Sequence, residues 1–194
     1  MEGLKLFMLL LGSKAAGRHV EQHDFFFGIA ASLKELVPEI KAFWEEAGDS
    51  IHIDGWREVT CVEDYTVNVV PLNQAATLSE MEPRTAASEK LFFINLGGYL
   101  PGRFEEQHYP VLTVKPDKAS AFRTAKSTGF YWENQFEGAR SHIDDKYGID
   151  VDDLYQIEEV LSPAQKEKYR IELTLRPELA KDSLNMGYLQ LKHL

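Results

Sequence analysis

The sequence predicts an α+β protein of two tandem ββαββ units, with mainly antiparallel sheets and pseudo-twofold symmetry between the units. Three observations predict it. Residues 5–23 (KLFMLLLGSKAAGRHVEQH) and 90–108 (KLFFINLGGYLPGRFEEQH) share ten identities over nineteen ungapped positions at an offset of 85, where ordinary residue frequencies give about one. Each copy opens on a short apolar run stopped by glycine, at Gly12 and at Gly97, as a buried strand does. Each copy then reaches a helix with a good N-cap, Ser32 in the first and Asp117 in the second. A repeat this long is no solenoid; it reads as one small unit duplicated and fused.

The elements of the first unit, residues 1–77, follow in order. Strands are expected near 4–11 and 21–30, joined by a loop bracketed by Gly12 and Gly17, whose glycines allow positive φ and close backbone approach. Ser32-Leu33-Lys34-Glu35 is a capping box, and Leu33, Leu36, Val37, Ile40, Phe43 and Trp44 form one apolar helical face. Pro38 lies inside that helix and predicts a kink or a restart. Two further strands are expected near 51–60 and 64–70. Residues 78–88, rich in Glu, Ala, Thr and Ser around Pro83, read as a linker.

The second unit, residues 89–161, is expected to repeat the order with strands near 89–96, 106–115, 141–144 and 154–160. Its helix face is smaller, made by Ala121, Phe122 and Ala125. In this pairing Trp44 matches Trp132, His52-Ile53-Asp54 matches His142-Ile143-Asp144, and Tyr65 matches Tyr155. Residues 162–194 form an extension with no counterpart. Ser162-Pro163 opens a short helix there, and Tyr169, Ile171, Leu173 and Leu175 alternate with polar residues as a half-exposed strand does.

Composition removes several function classes. A formal net charge of -10 with no basic run repels a phosphate backbone, so no nucleic-acid partner is expected. Cys61 is the only cysteine, which excludes an intramolecular disulfide and a thiolate-rich zinc site and suits a reducing cytoplasm. The run Leu4 to Leu11 carries Lys5 within it and is far shorter than the ~20 apolar residues of a membrane span. A cytoplasmic protein with no membrane partner is expected, either a monomer with pseudo-dimeric repeats or a homo-oligomer, whose partner is a small molecule or a protein.

The pattern KLFxxxLGxxxxGRxxEQH, followed by a strand, a capped helix, HID and a tyrosine-bearing strand, resembles a family of small, mostly bacterial proteins catalogued as a domain of unknown function. Members carry one or two copies, and this chain resembles a two-copy member over roughly residues 4–160. The resemblance implies no activity and no catalytic residue.

The chemistry is therefore read from the residues. On a strand, alternate side chains share a face, so Glu21 with His23, His52 with Asp54, Glu106 with His108, and His142 with Asp144 are each presented together. An imidazole and a carboxylate placed this way can reach one divalent ion, which makes His52, Asp54, His142 and Asp144 candidate metal ligands. The alternative is a structural clasp in which Arg18 pairs with Glu21 or Asp54 and the histidines satisfy loop carbonyls. The candidate ligand-binding residues are Arg18, Glu21, His23, Arg103, Glu106 and His108, with a groove on the pseudo-twofold axis where Arg18, His23, Arg103 and His108 converge. The glycines form no phosphate loop, and the aspartates around Gly148 lack the order of an EF-hand. Two functions follow as expectations. The first is a non-catalytic binding or interaction module for a small anion or acidic peptide; the second is a metal-dependent enzyme, possibly hydrolytic, using histidine and carboxylate ligands.

Overall fold

The structure, a computed structural model, describes residues 3–72, 89–99, 103–127 and 149–194. The expected linker, Trp132 and the His142-Ile143-Asp144 segment lie outside these residues. The chain divides into two compact units, Met1–Thr85 with Val160–Leu194, and Ala86–Glu159. Among the described residues no helix is long and apolar enough to cross a membrane.

The first unit is organised by strand β1 (Lys5–Ser13), whose odd-numbered residues Phe7, Leu9 and Leu11 are buried in one core. β1 pairs antiparallel with β2 (Gln22–Ala30), which sets Gly12 opposite His23. Helix α1 (Leu33–Phe43) covers the odd face of β1, burying Leu36 and Ile40 beside Leu9, Leu11 and Phe26. At its start the Glu35 carboxylate accepts from the Ala31 N–H at 3.3 Å and from Ser32 Oγ at 3.4 Å, while the Ser32 side chain caps no helical N–H, so the expected capping box is not formed. The helix runs through Pro38 to Phe43, and Glu45–Ser50 then turns as a 3-10 segment.

β3 (His52–Glu58) pairs with the other edge of β1, placing His52 opposite Gly12. The register slips between Leu10 and Leu11, whose partners are Gly55 and Ile53, so Asp54 is an extra residue in a bulge. The strand expected near 64–70 is not in this sheet: β5 (Tyr65–Pro71), with the short β4 (Cys61–Val62), forms a hairpin in a separate sheet ordered β4-β5-β9, where β9 is Tyr169–Leu175.

The second unit contains β6 (Lys90–Tyr99), β7 (Glu106–Lys115), helix α2 (Lys118–Ala125) and β8 (Ile149–Gln156) in the sheet order β7-β6-β8. Its core joins Phe92, Ile94, Leu96, Ala121 and Ala125. The Asp117 side chain caps α2 by accepting from the Ser120 N–H at 2.7 Å, a bond that holds its carboxyl below the usual carboxylate range. The strand expected at 154–160 is corrected here. Residues 149–156 are the strand, Tyr155 pairs with Phe93 on β6, and Ile157–Val160 is a short helix, α3. The pairing of Tyr155 with Tyr65 in the sequence therefore crossed two different strands.

The C-terminal residues belong to the first unit. α4 (Pro163–Lys166) is capped by Ser162. Its buried Gln165 donates to the Ile29 carbonyl and accepts from the Ile29 N–H, each at 3.0 Å, which occupies the open edge of β2. β9 (Tyr169–Leu175) pairs with β5 over seven residues, and β10 (Asn185–Gln190) pairs with β3, completing the four-stranded sheet β10-β3-β1-β2. Asp182, between them, accepts from Thr60 Oγ1 at 2.5 Å, and Cys61 Sγ donates to the Ala180 carbonyl at 2.8 Å. Burial, and then the Asp182 charge, push the Cys61 thiol up, away from the thiolate form.

Candidate metal centre

Alternation along β2, β1 and β3 gathers one set of polar side chains. Ile53 lies in the α1-facing core, so its neighbours His52 and Asp54 are presented to the opposite face. Phe26 lies in the same core, which puts His23 and Glu21 on that opposite face too. Gly12 of β1 is the residue between them, paired with His23 on one side and His52 on the other.

The four side chains meet over this glycine. His52 Nε2 lies 2.7 Å from Glu21 Oε1 and 3.3 Å from Asp54 Oδ1, and His23 Nε2 lies 3.2 Å from Asp54 Oδ2. One donor atom from each of Glu21, His52 and Asp54 falls within 4.8 Å of the others. A Cβ on residue 12 would stand 2.4 Å from Asp54 Oδ2, 2.5 Å from His52 Nε2 and 3.1 Å from Glu21 Oε1. Glycine is thus required here for space. Gly17 is the member of the pair that adopts positive φ, at 81° in the loop before Glu21.

The environment fixes the tautomer of His52. Its Nδ1 is 2.9 Å from the Ser50 carbonyl, which can only accept, so Nδ1 carries the hydrogen. In the neutral ring the lone pair then sits on Nε2, facing two carboxylates that also only accept. Such a group is stable when a cation is shared among the three, either a proton on Nε2 or a metal ion. His52 Nε2 and Asp54 Oδ2 are both buried atoms without a well-formed hydrogen bond.

Further contacts hold the imidazole. Ser13 Oγ and Ser50 Oγ are 2.6 Å apart and Ser50 Oγ donates to the Ala47 carbonyl, so the turn bearing the Ser50 acceptor is tied to β1. The Tyr188 ring from β10 lies 4.4 Å from the His52 ring, centroid to centroid. Tyr188 also lines a pocket of about 330 Å³ with Lys41, Asp49, Ile51, Gln190 and Lys192. Sequence reading assigned Gly12 a backbone role only and did not single out Ser13, Ser50 or Tyr188. For Gly12 the signal was present, since it directly follows the apolar run that ends at the buried Leu11.

The other candidates are placed differently. Arg18 is exposed and, among the described residues, forms no ion pair; Glu21 and Asp54 are engaged by the histidines, so the expected arginine clasp is not formed. Arg103, in the second unit, is exposed and lies 4.0 Å from Glu105. Glu106 and His108 are together on β7, with His108 Nε2 at 3.7 Å from Glu106 Oε2. His142 and Asp144 lie outside the described residues.

The first unit is thus an antiparallel α+β unit with a histidine and carboxylate cluster on the face opposite its helix. Residues 18–69 match the family model Domain of Unknown Function (DUF1543), and the matched segment carries Glu21, His23, His52 and Asp54. The chain is also similar in fold to the crystal structure of a protein Il1583 from Idiomarina loihiensis, with a TM-score of 0.62 and 19% identity over 97% of each chain. No curated protein is significantly similar to it.

Proposed function

We propose that the first unit is a divalent-metal-binding module, with His52, Glu21 and Asp54 as ligands and His23 at the rim as the fourth. The observation that carries this reading is the hydrogen bond from His52 Nδ1 to the Ser50 carbonyl, which turns a basic nitrogen toward two carboxylates with no donor of its own. Imidazole nitrogen with carboxylate oxygen suits zinc, iron(II), manganese or nickel better than calcium. Side-chain exposures of 42% for Glu21 and 48% for His23 leave one side of the ion facing water. A water or small anion completes the coordination there, which is how this module takes a small anion without a contribution from Arg18.

Hydrolysis is the second reading. It is favoured by the same solvent-facing side, because an ion with an open position activates water. Both readings share the metal and differ in whether a substrate is turned over.

We also read the two units as copies of one ancestral unit. What supports this is the strand, strand, helix, strand order of both, and a register slip at the same place in each: between Leu10 and Leu11, and between Asn95 and Leu96.

Titration calorimetry of untagged protein with Zn²⁺ or Mn²⁺ tests the metal site. Saturable binding is expected that His52→Ala weakens by at least ~100-fold, since the variant loses the one ligand buried and oriented by the fold. Equal affinity in wild type and variant would remove the proposal.

A further inference from the structure

We infer that the pocket where β3 begins and β10 ends binds a small ring-bearing organic acid, with Lys41 and Lys192 holding its carboxylate or phosphate and Tyr188 stacking on its ring. The inference stands apart from the metal reading, because none of the residues that line this pocket is a proposed metal ligand.

The pocket is built from the ends of elements of the first unit. His52 opens β3 and pairs with Gln190, which closes β10. The residues just outside that pair, Ile51 and Leu191, are both buried and both line the cavity, which gives it an apolar floor. Lys41 comes from the last turn of α1, and Lys192 from the 3-10 turn Leu191–His193 that follows β10. Gly48 and Asp49 complete the wall from the segment Glu45–Ser50. Gly48 has φ 53° and ψ -136°, and a Cβ there would meet nothing within 4 Å, so this part of the wall faces open space. At about 330 Å³ the cavity lies at the lower end of the range of small-molecule sites, roughly 300–1,000 Å³, which suits one ring and its substituents.

Charge and shape select the ligand. Among the described residues neither Lys41 nor Lys192 has an ion-pair partner. Two cations against one carboxylate, Asp49, leave the lining with one positive charge in excess, which favours an anion. Asp49, which only accepts, takes a hydroxyl or amino hydrogen of the same ligand. The Tyr188 phenol is held from two sides: its ring lies 4.4 Å from the His52 ring, and its oxygen accepts from Gln190 Nε2 at 3.1 Å. Tyr188 is nevertheless 64% exposed, so a positioned aromatic surface is left for a second ring to stack on.

Nuclear magnetic resonance titration of the full ¹⁵N-labelled chain, in the presence of chelator, tests this with para-hydroxybenzoate, phenyl phosphate and the uncharged phenol as probes. Saturable shifts are expected at the amides of Gly48, Asp49, Tyr188 and Leu191, with the better acid bound ~10-fold or more tighter than phenol. Which of the two acids binds tighter tells a carboxylate ligand from a phosphate ester. Lys41→Gln combined with Lys192→Gln should abolish the preference for acids and leave phenol binding within ~3-fold, the retained phenol site showing that the fold is intact. Tyr188→Ala should weaken acids and phenol alike, by ~3-fold or more. Equal affinity for phenol and both acids, shifts confined to amides away from the pocket, or acids that bind the double lysine variant as they bind the wild type overturn the inference. Acid binding that appears only when Zn²⁺ replaces the chelator also overturns it, and places the anion on an ion at His52. Failure of the metal reading, by contrast, leaves acid binding in chelator untouched.

Discussion

Gly12→Ala is expected to cost at least ~100-fold in divalent-metal affinity while the protein still folds. The added Cβ would fall 2.4 Å from Asp54 Oδ2 and 2.5 Å from His52 Nε2, inside the space enclosed by the donor atoms. These are the ends of side chains, so they can be pushed apart without moving the strands. The stability cost should accordingly stay within the ~1–3 kcal/mol of modest overpacking. The effect on the site is larger because a ligand set tolerates displacements of only a few tenths of an ångström. Calorimetry with Zn²⁺ reads the first quantity and urea denaturation the second. An alanine variant that binds metal as the wild type does would show that the cluster does not converge on the space above residue 12.

Ile40→Ala should do the reverse. Ile40 is fully buried in the core that joins α1 to Leu9, Leu11 and Ile53, on the sheet face away from the cluster. Truncating it removes buried methyl groups and leaves a cavity, a loss of ~2–5 kcal/mol. Metal affinity of the molecules that remain folded should change by less than ~3-fold, because the core and the ligands lie on opposite faces of the sheet. Denaturant midpoints and calorimetry on the same variant check both halves. A small loss of stability would place Ile40 outside the core, and a large loss of affinity would couple the core to the site.

The contrast between these two residues shows what the sequence carried. Alternation is local, and it was enough to place Glu21 with His23 and His52 with Asp54, each pair on one face. The 3.6-residue spacing of Leu33, Leu36, Val37 and Ile40 was likewise enough to orient α1. Pairing between strands is not local, and the sequence was silent or misleading there. β5 leaves the central sheet to pair with β9, more than a hundred residues away, and β10 brings Tyr188 against His52 from the far end of the chain. The segment His142-Ile143-Asp144, joined to His52-Ile53-Asp54 by letter matching, lies outside the described residues. Arg18 was given a partner because charge opposed charge nearby, but Glu21 and Asp54 are engaged by the histidines and the arginine stays in solvent.

Whether the His52 cluster shares a metal ion is read by elemental analysis of protein expressed without a histidine tag, dialysed against Zn²⁺ or Mn²⁺ and then against metal-free buffer. About one retained equivalent that depends on His52 is expected, present in wild type and missing from a folded His52→Ala variant. Retention of no metal by the wild type, or of the same amount by both proteins, contradicts it and would leave the cluster held by a proton on His52 alone.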